Sequence, residues 1–225
     1  MLQQLLTALG YGLCHQLPER SFVAGGVQLP VCARDTGIYL GFVLSFLLIT
    51  VLERRRRASE PAPVWVLSLA VLMVCAMAVD GLTSYMGLRQ TTNDIRLLTG
   101  LATGFGLTVI VAPILNGQLW RDAQRVRLLR RRADALIWLG SLPVAFILIR
   151  YAAPLAGVLY PLATAAAIIA TFMLVNLVIV TLLPSLERRA LRARALAVPM
   201  ALACGLTLLE LAAAAWLRAL AERVI

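Results

Sequence analysis

Lysine is absent from the 225 residues, and histidine occurs once, at position 15. A single histidine excludes haem held by paired histidines. Charge is scarce as well, at 14% of residues against about a quarter in soluble domains, while 61% are hydrophobic and the mean hydropathy is +0.86. No P-loop, no Gly-x-Gly-x-x-Gly after a strand, no His-Glu-x-x-His and no Gly-x-Ser-x-Gly occurs, so the chain lacks the usual signatures of nucleotide binding, zinc proteolysis and serine hydrolysis. What remains is the composition of an integral membrane protein. Residues 1–225 leave no stretch long enough for a separate soluble domain, so a single membrane domain is expected. The net charge of +10 is carried by arginine alone, and with no soluble basic domain to present it, no nucleic-acid partner is expected.

Six apolar segments, at about residues 37–53, 63–85, 97–118, 134–152, 158–183 and 197–217, each approach the length needed to cross a hydrocarbon core. They predict an all-α membrane protein, a bundle of about six transmembrane helices. Arginines cluster after the first, third and fifth segments: Arg54, Arg55, Arg56 and Arg57; then Arg121, Arg125, Arg127, Arg130, Arg131 and Arg132; then Arg188, Arg189, Arg192 and Arg194. Two thirds of all arginines thus fall in loops that share one side. The positive-inside rule assigns that side to the cytoplasm of a cell (plasma or inner) membrane and both termini to the outside. Residues 1–36 become an outer segment. Within it LLTALGYGL is too short to span and predicts an interfacial helix. MLQQLLTALG has no basic leader and no small-residue cleavage site, so the mature chain is expected to start at Met1.

A short internal echo supports a specific packing. TGIYLGF (residues 36–42) and TGLATGF (99–105) share Thr-Gly-x-x-x-Gly-Phe, and both open a segment entering from the outer side. Glycines four apart let membrane helices approach closely. Packing of the first and third spans through these faces would bring Asp35 near Arg96.

The four cysteines divide by place. Cys75 and Cys204 lie within spans and read as small apolar packing residues. Cys14 and Cys32 lie outside, beside His15 and three residues before Asp35. Thiolates, an imidazole and a carboxylate suit a four-coordinate, zinc-like divalent ion, which makes Cys14, His15, Cys32 and Asp35 the candidate metal ligands. A Cys14–Cys32 disulfide in an oxidising outer compartment, or two free thiols, are the alternatives.

CHQLPERSF (residues 14–22), PVCARDTGIYLG (30–41) and GLRQTTNDIRLLTG (87–100) resemble the signature of an uncharacterised family of predicted bacterial and archaeal membrane proteins, domain of unknown function 2085. The resemblance covers about the first half of the chain. It implies a membrane protein with a shared outer-face motif and no named reaction. Asp35 stands where the family pattern Cys-x-x-Cys-Thr-Gly has its second cysteine. A carboxylate can ligate a cation but cannot exchange a disulfide, so the departure favours ligation over redox chemistry.

Charges within the spans point the same way. Asp80, Glu210 and Arg150 all count toward the outer ends of their helices at 1.5 Å per residue, where an ionisable group takes a partner or faces a polar cavity. An ion pair of Arg150 with Glu210 or Asp80, or simple snorkelling of these side chains to the interface, is one arrangement. An outward polar pocket is the other, with Arg20, Arg34, Arg89 and Arg96 clasping an anionic substrate group and Asp35 and Asp80 as catalytic carboxylates. The expected role is binding of a metal ion, an anionic membrane-interface substrate, or both. A non-catalytic subunit bound to a membrane-protein partner or a second copy is the competing reading. A transporter comes third, since Asn116 and Asn176 are the only notable polar groups on the inner halves.

Overall fold

The computed structural model describes residues 1–186 and 196–224. Six helices in it are long and apolar enough to cross a membrane. Helix α1 (Leu2–Tyr11) leads through a 3-10 turn (Pro18–Arg20) to a hairpin of β1 (Val23–Ala24) and β2 (Val27–Gln28). Gly25 and Gly26 join these strands with φ of 58° and 73°, the positive pair that a two-residue hairpin turn requires. The spans are α2 (Ala33–Glu53), α3 (Val64–Tyr85), α4 (Asn93–Leu119), α5 (Arg132–Ile147), α6 (Leu159–Thr181) and α7 (Ala197–Val224). Helix α5 continues through a π turn (Leu148–Ala152) and a 3-10 turn (Ala153–Ala156) to complete its crossing. The protein is an all-α multi-pass membrane protein.

Several limits differ from the sequence expectation. Helix α2 begins at Ala33 rather than 37, and α4 at Asn93 rather than 97. Cys32 and Thr92 supply extended N-cap residues, so Asp35 belongs to the first turn of α2 and not to the loop before it. Hydropathy misses such a turn because its charged side chains look like loop. Helix α7 runs past 217 to Val224.

Helix α4 lies at the centre, packed most extensively on α2. The glycine echo is the reason. A Cβ at Gly100 would fall 2.0 Å from the Arg34 carbonyl oxygen, one at Gly104 2.3 Å from that of Ile38, and one at Gly37 2.5 Å from that of Leu97. Backbone thus meets backbone, the contact that replaces the hydrophobic driving force between helices in lipid. Below this seam Thr108 Oγ1 donates to Phe42 O (3.2 Å) and Trp138 Nε1 to Ser45 Oγ (2.9 Å), closing α4 and α5 around a buried core of Leu97, Leu101, Phe105, Val109 and Trp138. Cys75 is exposed on α3 and faces the surroundings instead of packing.

At one end of the bundle the loops after α2 and α4 are stitched together. Strand β3 (Ala58–Glu60) pairs in parallel with β4 (Gln124–Arg127). Asn116 Nδ2 donates to Ala58 O at 3.0 Å. The first two arginine clusters therefore share one face, as the charge pattern predicts. The third, at 188–194, lies outside the described residues. At the other end Tyr11 Oη donates to Glu222, and Arg218 Nη1 to the carbonyls of Tyr11 and Cys14 at 2.5 Å each. The N-terminal segment and the end of α7 thus lie together on the opposite face.

Candidate functional site

The site begins with the N-terminal segment. Cys14 N–H donates to Gly10 O (3.0 Å), continuing the line of α1. Gln16, at φ 55°, reverses the chain, and its Nε2 holds Thr7 O (3.0 Å) and Pro30 O (2.7 Å). Gln28 Nε2 returns a bond to Gln16 O at 2.8 Å. These bonds bring Cys14 against the start of α2. There the Cys32 N–H, which no earlier turn can satisfy, donates to Cys14 Sγ at 3.3 Å. Three residues on, Asp35 receives the Cys32 thiol on Oδ2 at 3.2 Å.

Donor atoms of Cys14, Cys32 and Asp35 lie within 4.8 Å of one another, and Cys14 and Cys32 are unbridged. The Cys32 proton is offered to two acceptors, Asp35 and the Cys14 sulfur. That hydrogen bond holds the Cys14 thiol below the ordinary thiol range, against the upward pull of burial and of Asp35. The same bond, with burial and Asp35 after it, pushes Cys32 far upward. The two thiols are thus shifted in opposite directions, Cys14 toward the thiolate and Cys32 away from it. The positive end of the α2 dipole also favours negative charge on Cys14.

This group opens on a cavity of about 370 Å³ whose wall includes His15, Arg20, Arg34, Arg96 and, from α3, Gly81, Ser84 and Tyr85. His15 is in the wall but outside the three-donor group. Asp35 and Arg96 share the cavity, as the glycine packing predicts. Arg96 donates to Asn93 Oδ1 at 3.0 Å, and the ion pair of Arg20 among the described residues is with Glu19, at 4.0 Å.

Asp80 has a different place from the one expected. It is 3% exposed, and its carboxylate takes Arg34 Nη2 at 2.5 Å, Thr91 Oγ1 at 3.0 Å and Arg89 Nη2. Both oxygens are occupied and neither lines the cavity. Arg89 is spent on the same carboxylate and is likewise no part of the cavity wall. Of the arrangements considered for Arg150, a pair with Glu210 or Asp80 does not form; Arg150 pairs with Asp94, at the start of α4. Glu210 instead accepts from Asn176 Nδ2 at 2.7 Å. These partners come from other helices, and helical position alone does not order such pairs.

Gly81, Ser84, Tyr85, Gln16 and Arg218 are site residues that the sequence reading did not single out. Gly81, Ser84 and Tyr85 recur on α3 beside Asp80 at helical spacing, a signal that was available. Nothing in the sequence ties Arg218 to Cys14.

A family model described as predicted membrane protein (DUF2085) matches residues 14–110. An uncharacterised protein of Methanocaldococcus jannaschii is 34% identical over 109 residues, which are 48% of this chain and 67% of that protein. An uncharacterised protein of Methanothermobacter thermautotrophicus is 40% identical over 98 residues, 44% of this chain and 83% of its own length. No solved structure matches the chain. The matched stretch holds Cys14, Cys32, Asp35 and the three cavity arginines, while α5, α6 and α7 lie beyond it. The chain belongs to the DUF2085 family of predicted membrane proteins.

Proposed function

We propose that this protein sits in the cell membrane with the Cys14 face outward and binds a zinc-like divalent ion on Cys14, Cys32 and Asp35. Arg20, Arg34 and Arg96 draw the anionic group of a membrane-interface substrate, such as a lipid phosphate, into the same cavity. One observation carries the reading: two sulfurs and a carboxylate oxygen converge within 4.8 Å in a cavity walled by three guanidiniums. On a tetrahedral zinc ion with bonds near 2.3 Å, neighbouring donors stand about 3.8 Å apart, so small side-chain shifts suffice. A thiolate at Cys14 and a carboxylate at Asp35 supply negative charge for a dication.

Three protein donors leave the fourth position to water or a substrate oxygen, the pattern of a reactive rather than a purely structural site. A bound ion would supply Lewis acidity there. Asp35 is the carboxylate within reach of the cavity. Asp80 is a positioning residue that aims Arg34, and Arg89 backs it from outside. Arginine forks suit a phosphate or carboxylate geometrically. His15 borders the cavity as a further hydrogen-bonding group.

The test is metal content of purified protein from zinc-supplemented cells, measured with Cys14→Ser and Asp35→Ala beside it. About one ion per chain, lost in both variants while the helical circular dichroism persists, is expected. Protein without stoichiometric metal, together with variants unchanged in folding and zinc retention, would overturn the reading.

A further inference from the structure

A second charged cavity lies at the other end of the bundle. It encloses about 290 Å³ and is lined by Arg56, Val126, Arg130 and Arg131, with no carboxylate in its wall. These arginines come from two loops separated by a whole helical hairpin, so their convergence is a product of the fold.

The loops are fixed where they meet. Glu53 is 2% exposed, and its Oε1 accepts Leu129 N–H at 3.1 Å. Leu128 N–H donates to Glu60 O at 3.0 Å, and Gln124 N–H to Arg56 O at 3.2 Å. Leu128 and Leu129 are fully buried, which anchors the backbone one residue before Arg130. Neighbouring Arg57 is otherwise engaged: it pairs with Asp122 and lies 3.7 Å over the Trp120 ring. Arg130 and Arg131 form no ion pair within 4.0 Å among the described residues, and Arg131 lies near enough to Glu53 to act on its carboxylate. Arg56 has only Glu53 Oε2 at 3.7 Å. Arg131 is also the N-cap of α5, whose first turn has no side-chain cap and carries one acid, Asp134, so a helix N-terminus partly offset by that acid adjoins the cavity.

We infer that this cavity is an anion site for a phosphate-bearing group at the membrane surface, the chemistry of an anionic phospholipid headgroup or of free phosphate. Arginines gathered on an anchored backbone, with the buried Glu53 carboxylate beneath them, bind such a group at reduced ordering cost, and basic pockets among membrane helices on the cytoplasmic side suit lipid headgroups. The site is independent of the Cys14 cavity, which opens at the opposite end of the bundle.

The experiment is native mass spectrometry and thermal unfolding of detergent-solubilised protein, with phosphatidylglycerol, phosphatidylcholine or inorganic phosphate added. Phosphatidylglycerol is expected to remain bound at one per chain and to raise the melting temperature, with phosphatidylcholine doing neither. Arg130→Gln/Arg131→Gln should weaken this binding about 10-fold or more. Arg54→Gln/Arg55→Gln removes the same charge from the same face, outside the cavity, and should leave binding intact. A melting shift with inorganic phosphate at millimolar concentration, lost in the cavity variant alone, would support the site with free phosphate as the source. No selective retention of either phosphate ligand, or equal losses in the two double variants, would overturn the proposal.

Discussion

Gly100 of α4 lies against Arg34 of α2 so closely that a Cβ on the glycine would stand 2.0 Å from the arginine carbonyl oxygen. The same arginine carries its guanidinium to Asp80 and into the cavity wall. The helix seam and the site therefore share a residue, and a disturbance of one reaches the other.

Gly100→Ala should destabilise the protein by about 1–3 kcal/mol or more, because a methyl group would displace backbone instead of a flexible side-chain end. Gly140→Ala, where a Cβ meets nothing within 4 Å, should be neutral or slightly stabilising, since alanine favours helix. Thermal unfolding in detergent compares the two. Equal melting temperatures would show that the seam is not this tight.

Asp80→Asn should cost stability while leaving metal content unchanged. The substitution leaves Arg34 and Arg89 facing a neutral amide. Hydrogen bonds to charged groups contribute about 1.5–3 kcal/mol each, but Arg89 is half exposed and its share is discounted for solvent screening. About 1–3 kcal/mol in total is expected. Asp80 holds no donor atom in the Cys14 group, so zinc per chain should match wild type. Loss of zinc with retained folding would make Asp80 a ligand.

Cys14 should be the first cysteine of the outer pair to react with iodoacetamide, and at a pH below its ordinary value of 9.0. The thiolate is the reactive form, and hydrogen bonding from Cys32 favours it in the fold. Because the folded-state value is lowered, the stabilising contribution of Cys14 is fully present above the ordinary thiol value. It is lost as pH falls through the lowered one. Cys32, shifted the other way, should resist labelling. Cys32→Ala should move the Cys14 midpoint upward. Mass-spectrometric labelling against pH reads both residues, and coincident midpoints would contradict the assignment.

How much of this was legible in the sequence depends on whether a contact is periodic or distant. The α2–α4 seam was readable because Gly37, Gly41, Gly100 and Gly104 repeat at one helical turn in two spans, and a repeat of four is a packing rule. The approach of Cys14 to Cys32 was readable as a possibility and no further, because the fold that joins them depends on the positive φ of Gln16 and its two side-chain bonds. Asp80 was placed correctly along its helix, yet its partner Arg34 lies 46 positions away. Rise per residue gives depth in the membrane but not azimuth, so the acids weighed for Arg150, Glu210 and Asp80, did not include its partner Asp94. The parallel pairing of β3 with β4 left no pattern in strands this short.

Arg218 gives the last prediction, because it joins the end of α7 to the segment that carries Cys14. Its Nη1 donates to both Tyr11 O and Cys14 O, its Nε pairs with Glu222 at 2.8 Å, and its guanidinium lies 4.4 Å from the Tyr11 ring centroid. None of these atoms is a metal donor. Arg218→Ala frees the Cys14 carbonyl and lets the segment after α1 move against α2. Loss of a group that orients a ligand costs about 10–100-fold in metal affinity, and zinc binding should weaken by that factor while the six spans stay folded. Arg218→Lys keeps the charge but cannot hold two carbonyls and Glu222 in a fixed fork, so it should restore affinity only in part. Zinc titration with a competing chelator measures all three proteins. Wild-type affinity in Arg218→Ala would show that α1 and the Gln16 bonds hold Cys14 in place without α7.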